Sequence, residues 1–294
     1  MLNTHMLGSE SGRGRVAPKE NNSPNTALFE AVKDKSYARL ATSVIMHWLG
    51  SDTLSTQEKL FLIGVDCLAN IELNAPKRSG KRAIRKSAES LGAMMNVSKK
   101  TALRFQQSLK GKGVLDVQHG EVDRFNRKTR NKLKPIVSEV IAKKLLHAQQ
   151  KSMPETSTCL RTYLDENLLF FRLNFSLLRA VLSSDLKPAS KLVWMYCYIR
   201  GYCANQKNGE AIFHTSNEDL KEKLNLSSRH RQMALLELSE KGYICLEEYK
   251  VDREDSHRKE MSRYMVGVLL PDALEKIVEK MPNRKPCAHI PSAE

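Results

Sequence analysis

The chain contains no CxxC pair, no close Cys/His quartet, no GxxxxGK[ST] loop, no HExxH, no GxSxG and no His-x-His pair. A zinc cage, a nucleotide cradle, and a hydrolytic or metal-dependent nicking centre are therefore not expected; no enzyme is implied and no cofactor. Aromatic residues make up only 6% of the chain. No apolar run approaches the ~20 residues needed to span a bilayer, and Met1 to Gly14 lacks the apolar core of a signal peptide. A cytosolic protein with no membrane partner is expected. The six cysteines are dispersed, so no disulfide scaffold is expected. Cys67, Cys197 and Cys245 each stand among apolar neighbours and read as reduced core residues.

Positive charge, by contrast, is plentiful. Forty-eight Lys and Arg against 33 Asp and Glu leave +15, which favours a polyanionic partner, nucleic acid first. With 294 residues and 41% hydrophobic content, the chain holds enough material for about two domains. Residues 1–26 and 282–294 are poor in large apolar side chains and read as tails. Between them the apolar spacing is mostly helical, over Tyr37 to Leu49, Thr56 to Ile71, Lys86 to Met95, Lys99 to Lys110, Val137 to Gln150, Ala189 to Tyr202, Asn217 to Leu224, Arg229 to Glu240 and Pro271 to Met281. Ser55 with Glu58 predicts a capping box, and Pro188 suits a helical first turn. Trp194, Tyr196 and Tyr198 read as core.

An ungapped internal repeat lies at an offset of 129 residues, Ser87 to Leu115 against Ser216 to Ile244. Ser87, Glu89, Leu91, Asn96, Ser98, Leu109, Lys112 and Gly113 recur as Ser216, Glu218, Leu220, Asn225, Ser227, Leu238, Lys241 and Gly242. Each copy reads as a short helix, a turn at the Asn, a second helix capped by the Ser, and a stop at Gly followed by an apolar strand. That is a helix-turn-helix followed by a hairpin wing. The first wing is read as Val114 to Gln118 returning through Glu121 to Phe125, the second as Tyr243 to Tyr249 with Tyr264 to Leu269. The expected fold is mainly α with short β-hairpins (α+β), as two tandem winged helix-turn-helix domains. Their expected bounds are 27–136 and 169–281, joined by a helical linker at 137–168, with Lys151 to Thr158 its least structured part.

Charge separates the two copies. From Lys77 to Lys134 there are 17 basic and four acidic residues, in three acid-free blocks that precede the helix pair, occupy its second helix and follow the wing. These are the elements a winged helix presents to a major groove and its flanking phosphates. On the second helix, Ala102, Phe105 and Leu109 point inward by spacing, and Lys99, Lys100, Leu103, Arg104 and Gln107 point outward. Arg104 and Lys100 suit guanine edges, Gln107 adenine and Leu103 a thymine methyl, with Ser98 at the helix start. Lys81, Arg82, Arg85, Arg127, Lys128 and Arg130 suit phosphates. From Lys187 to Leu270 there are 14 basic and 12 acidic residues. There Ser228, Arg229, Arg231 and Gln232 are the candidate contacts, although Arg231 occupies the position of inward Ala102, and Asp252, Glu254 and Asp255 in the wing oppose phosphate.

The run Ser98-Lys-Lys-Thr101-Ala-Leu-Arg104, with Leu109 and Lys112-Gly-Val-Leu115, resembles the recognition helix of bacterial winged-helix DNA-binding domains. Leu169-Phe-Phe-Arg-Leu-Asn-Phe-Ser-Leu-Leu178, Leu182 and Lys187-Pro-Ala-Ser-Lys-Leu-Val-Trp-Met-Tyr196 resemble the strand, short helix and long helix that open the winged domains of plasmid-type replication initiators. The resemblance implies binding of double-stranded DNA at repeated origin sites, strand opening, self-repression and a monomer–dimer switch. It also implies host replication initiator and helicase proteins as partners. A transcriptional regulator, or an adaptor whose winged domains bind protein, accommodates the same residues.

Overall fold

Helices dominate the computed structural model, and three small antiparallel sheets complete a mixed α and β chain. The structure describes residues 27–73, 83–120, 130–153, 163–164, 167–251 and 261–281. Both expected tails lie outside these residues, as do Pro154 to Thr158 of the expected linker. The first half runs α1 (Ala27–Val32), β1 (Ala38–Ala41), α2 (Thr42–Gly50), α3 (Thr56–Leu73), β2 (Ile84–Arg85), α4 (Ala88–Met95), α5 (Lys99–Gly111), β3 (Leu115–Gln118), β4 (Lys132–Pro135) and α6 (Glu139–His147). The second runs β5 (Phe170–Leu173), α7 (Phe175–Ser183), α8 (Pro188–Asn208), β6 (Ile212–Ser216), α9 (Asn217–Leu224), α10 (Ser228–Glu240), β7 (Ile244–Val251), β8 (Met261–Val268) and α11 (Asp272–Glu279). From β1 to α6 and from β5 to α11 the order of elements is identical. The three-stranded sheets are threaded alike, β2-β4-β3 and β6-β8-β7, so the repeat extends as architecture well past Ser87 to Leu115.

Local chemistry sets the helix ends. Ser55 Oγ accepts from the Glu58 amide while the Glu58 carboxylate accepts from the Ser55 amide at 2.7 Å, the expected capping box. Pro188 takes the first turn of α8, where its missing N–H costs nothing. Asn96 (φ 53°) and Asn225 (φ 50°) end α4 and α9 in the left-handed region, which Asn tolerates better than most residues. Gly113 (φ 70°) and Gly242 (φ 71°) do the same beyond α5 and α10.

Tyr37 to Leu49 predicts one continuous helix, but Ala38–Ala41 is a strand. Ala, Arg and Leu are good helix formers, and tertiary pairing overrides them. β1 runs antiparallel to β5, with Leu40 opposite Phe171 and Ala38 opposite Leu173, and all four side chains are buried. Full burial of Leu40 or Phe171 contributes about 1.5–3 kcal/mol each. The first hairpin also differs from expectation. β3 pairs with Lys132–Pro135, Val117 opposite Leu133 and Leu115 opposite Pro135, because those residues carry the apolar face that Leu115 and Val117 need. Glu121 to Phe125, expected as the return strand, lie outside the described residues. Cys67 and Cys197 are buried, and burial pushes the Cys197 thiol up to about 12. Cys245 is exposed on β7, because it sits on the outward face of an edge strand, contrary to the core reading.

The halves interlock. α2 packs on α9 of the second half, α7 packs reciprocally on α4 of the first, and α3 packs along α8. One continuous hydrophobic core results, with Trp48, Trp194, Tyr196 and Tyr198 almost wholly inside it. A buried lysine sits in the first turn of each long helix. Lys59 Nζ donates to the carbonyls of Leu49 (2.7 Å) and Leu224 (3.0 Å), and Lys191 Nζ to those of Leu182 (2.6 Å) and Ser184 (2.8 Å). Both satisfy carbonyls at helix C-termini, where a cation is favoured. Lys59 does so for both halves at once, and burial pulls its ammonium down to about 8.

Candidate nucleic-acid interface

The first helix pair is fixed before any partner arrives. Ser87 Oγ accepts from the Ser90 amide at 3.1 Å to start α4, and Ser98 Oγ accepts from the Thr101 amide at 3.2 Å to start α5. A Cβ on Gly92 would stand 2.6 Å from the Val97 carbonyl oxygen, so the turn between the helices closes only over glycine. Below α5, Ala102 and Leu109 are fully buried, and Phe105 lies 5.5 Å from the ring of Phe61 on α3. Lys99, Lys100, Leu103, Arg104, Gln107 and Lys110 all face solvent. Among the described residues no acidic side chain pairs with Lys99, Lys100 or Arg104. The face is thus a row of cations unpaired among the described residues, interrupted by Leu103 and Gln107.

Arg85 on β2 is exposed and stands opposite Lys132 in register. Lys134 of the same strand β4 and Arg130 beside it are also exposed. Lys81, Arg82, Arg127 and Lys128 lie outside the described residues. Two residues that hold the surface together are not candidates from sequence. Gln106 is buried and accepts from Asn131 Nδ2 at 3.4 Å, while Asn131 Oδ1 accepts from the Gly120 amide at 3.3 Å. This links the loop end of the β3–β4 hairpin to α5. The only signal for it was a Gln one residue off the outward row.

Lys112, part of the second basic block, is committed elsewhere. Its Nζ donates to both Glu58 carboxylate oxygens at 2.8 and 2.9 Å, tying the end of α5 to the start of α3. Burial would raise the Glu58 carboxyl, but hydrogen bonds from Lys112, Ser108 and Ser55 outweigh it and hold the pKa at about 2. A carboxylate depressed in the folded state stabilises fully above its unfolded value of 4.5, and the contribution disappears as pH falls through 2. Glu58→Gln is expected to cost about 2 kcal/mol at neutral pH, discounted because Lys112 keeps a third of its surface in water. In urea melts the gap between the two proteins should close between pH 4.5 and 2; a gap constant across that range contradicts the assignment.

The second helix pair keeps the frame and changes the face. Ser216 and Asp219 form a full capping box on α9, and Ser227 Oγ accepts from the His230 amide on α10. Ser228, Arg229 and Gln232 are exposed. Arg231 is not an outward residue: only 5% exposed, it turns inward at the Ala102 position and its guanidinium donates to the Leu226 carbonyl. The periodicity that buries Ala102 applies equally to Arg231, and the long stem lets the charged end fold back to a carbonyl. Where α5 carries Arg104 and Gln107, α10 carries the exposed Met233 and Leu236. Among the described residues no helix is long and apolar enough to cross a membrane, and no cluster of three His, Cys, Asp or Glu is placed to hold a metal. The chain matches no family model, and no curated protein is similar to it in sequence.

Proposed function

We propose that this protein binds double-stranded DNA in a sequence-specific manner through α5, and that it initiates replication of a plasmid or mobile element at repeated origin sites. The observation that carries the binding is the exposed row Lys99, Lys100, Arg104, without acidic partners among the described residues, on a helix whose opposite face is buried in the core. Duplex DNA offers such a helix a major groove of matching width, with acceptors for Arg and Lys and adenine edges for Gln107. Arg85, Arg130, Lys132 and Lys134 extend the cation surface to the adjacent backbone, where they fix register without reading sequence. Helix, strand, two helices and a hairpin in this order, with the strand order 1-3-2 in the sheet, support a winged helix-turn-helix in each half. The replication role rests on the resemblance of Leu169 to Tyr196 to initiator domains, with β5, α7 and α8 supporting it as strand, short helix and long helix.

Crosslinking the protein to DNA in its own cells and sequencing the recovered fragments tests the whole reading. Direct repeats clustered beside an AT-rich segment are expected. A single inverted repeat over a promoter would make the protein a transcriptional regulator, and no enriched sequence would refute specific binding. On the recovered site, Arg104→Ala is expected to cost about 1–3 kcal/mol and to relax preference at one base pair, whereas Arg130→Ala should weaken all sequences alike. Unchanged preference in the Arg104 variant would remove it from base reading.

A further inference from the structure

The two copies of the repeated frame differ at one buried position beside the hairpin. Gln106 of α5 is matched across the 129-residue offset by Leu235 of α10, and the two are 2% and 3% exposed. Leucine fills that place without a polar atom, whereas a buried amide costs free energy unless it is bonded. Gln106 Oε1 accepts from Asn131 Nδ2 at 3.4 Å, and its Nε2 has no partner among the described residues. Packing therefore does not account for the glutamine; its bond to Asn131 does.

The hairpin residue changes with it. Leu133 stands opposite Val117 as Val266 stands opposite Leu246, so Asn131 corresponds to Tyr264, which is buried. In the second half the β7–β8 ladder runs past Tyr264 to Val251 opposite Met261. In the first, the β3–β4 ladder ends at Gln118 opposite Lys132, and there the Asn131 side chain takes over. Its Oδ1 accepts from the Gly120 amide at 3.3 Å while its Nδ2 reaches Gln106, so one side chain ties the backbone at Gly120 and at Asn131 to α5. Its chain neighbours are the exposed Arg130 and the half-buried Lys132, and strand alternation turns Lys132 to the opposite side of the sheet.

We infer that Gln106 and Asn131 are positioning residues for DNA recognition: their bond fixes the loop end of the β3–β4 hairpin, with Arg130 and Lys132, against α5, so that these cations and Arg104 engage one duplex in a single register. The inference rests on α5 binding duplex DNA. It gives neither residue a contact with DNA, since Gln106 is enclosed and Asn131 is committed to Gly120 and Gln106. Phosphate contacts fix register only where their own place is fixed, and ordering them in advance removes a cost from binding. The second copy, with Leu235 and Tyr264 at these positions, lacks the joint.

The test is a double-mutant cycle on the full chain, titrated by fluorescence anisotropy against a duplex that the wild-type protein selects from a random pool. Gln106→Leu, the exchange already present between the two copies, is expected to keep the fold in a thermal melt and to weaken the selected duplex about fivefold. The slope of log affinity against log salt should fall by about one unit. Arg130→Ala should cost the wild type about fivefold but the Gln106→Leu protein less than about twofold, whereas Arg104→Ala should cost both the same. Asn131→Ala should reproduce the Gln106→Leu losses, and the two together should cost no more than either alone; it carries the same cycle if Gln106→Leu melts below the assay temperature. A merely structural role would move the melt and leave the salt slope and the cycle untouched. Unchanged affinity or slope in the joint variants, or costs for Gln106→Leu and Arg130→Ala that simply add, overturns the inference. If Arg104→Ala weakens the selected duplex while the joint variants do not, only the joint is refuted; if the wild-type chain selects no duplex, the α5 reading fails and the joint falls with it.

Discussion

Lys100→Glu/Arg104→Glu is expected to lower affinity for a specific duplex by roughly a thousandfold, about 4 kcal/mol, while leaving the fold intact. Two terms produce the loss. Each base-edge contact removed is worth about 1–3 kcal/mol, and each introduced carboxylate faces phosphates across the groove, where like charges cost more. The fold should not respond, because both side chains are exposed, pair with no described acidic group, and lie opposite the Ala102, Phe105 and Leu109 face that anchors α5; such surface changes usually stay within about 0.5 kcal/mol of stability. The salt dependence supplies a second readout. Log affinity against log salt should lose about two units of slope if both residues sit near phosphates, less if they read bases alone. The measurement is a titration of a duplex selected from a random pool by the wild-type chain, with a thermal melt alongside. Undiminished affinity with an unchanged melt would remove α5 from the interface.

The parts of this molecule legible in its sequence are those that local chemistry dictates. Ser98 and Ser227 cap helices, Asn96 and Asn225 reverse them, and the inward set Ala102, Phe105, Leu109 follows from 3.6-residue spacing, so the helix pair and its outer face could be read in advance. Other features depend on what the chain meets far away. Ala38–Ala41 carries helix formers and becomes a strand only because Phe170–Leu173 lies alongside. The return strand of the first hairpin is chosen by the fit of Leu133 to Val117 rather than by the nearest turn signal. Lys59, Lys191 and Gln106 look like surface residues in any local window. They are buried because carbonyl or amide partners wait for them, Leu224 in the other half among those of Lys59. Arg231 shows the reverse case: spacing places it inward and residue type argues outward, and a long side chain with a carbonyl in reach satisfies both.

Because the halves share a core, a lesson about one should be felt in both. Phe171→Ala is expected to destabilise the protein by about 3–5 kcal/mol, the usual cost of emptying a fully buried phenylalanine site. Phe171 is 0% exposed, faces Leu40 of the first half across the β1–β5 pair, and touches the ring of Tyr198 in edge-on geometry at 6.3 Å between centroids. The cavity would open at the seam, and the melting temperature should fall by about 10 °C for a chain of this size. The two tryptophans make the shared response measurable. Trp48 lies in α2 and Trp194 in α8, both buried, so Trp48→Phe and Trp194→Phe versions leave one reporter in each half. With α2 packed on α9 and α7 on α4, neither half keeps its core when the other opens. Both reporters should therefore give one coincident transition that Phe171→Ala shifts equally, as two-state unfolding requires. If the Trp48 transition stayed in place while the Trp194 transition moved, the halves would be independent domains and the reciprocal packing would carry little energy. A common shift would mean that α10 belongs to the same cooperative unit that carries α5, so that any coupling between the two faces is a matter of differential affinity within one fold rather than of linker geometry.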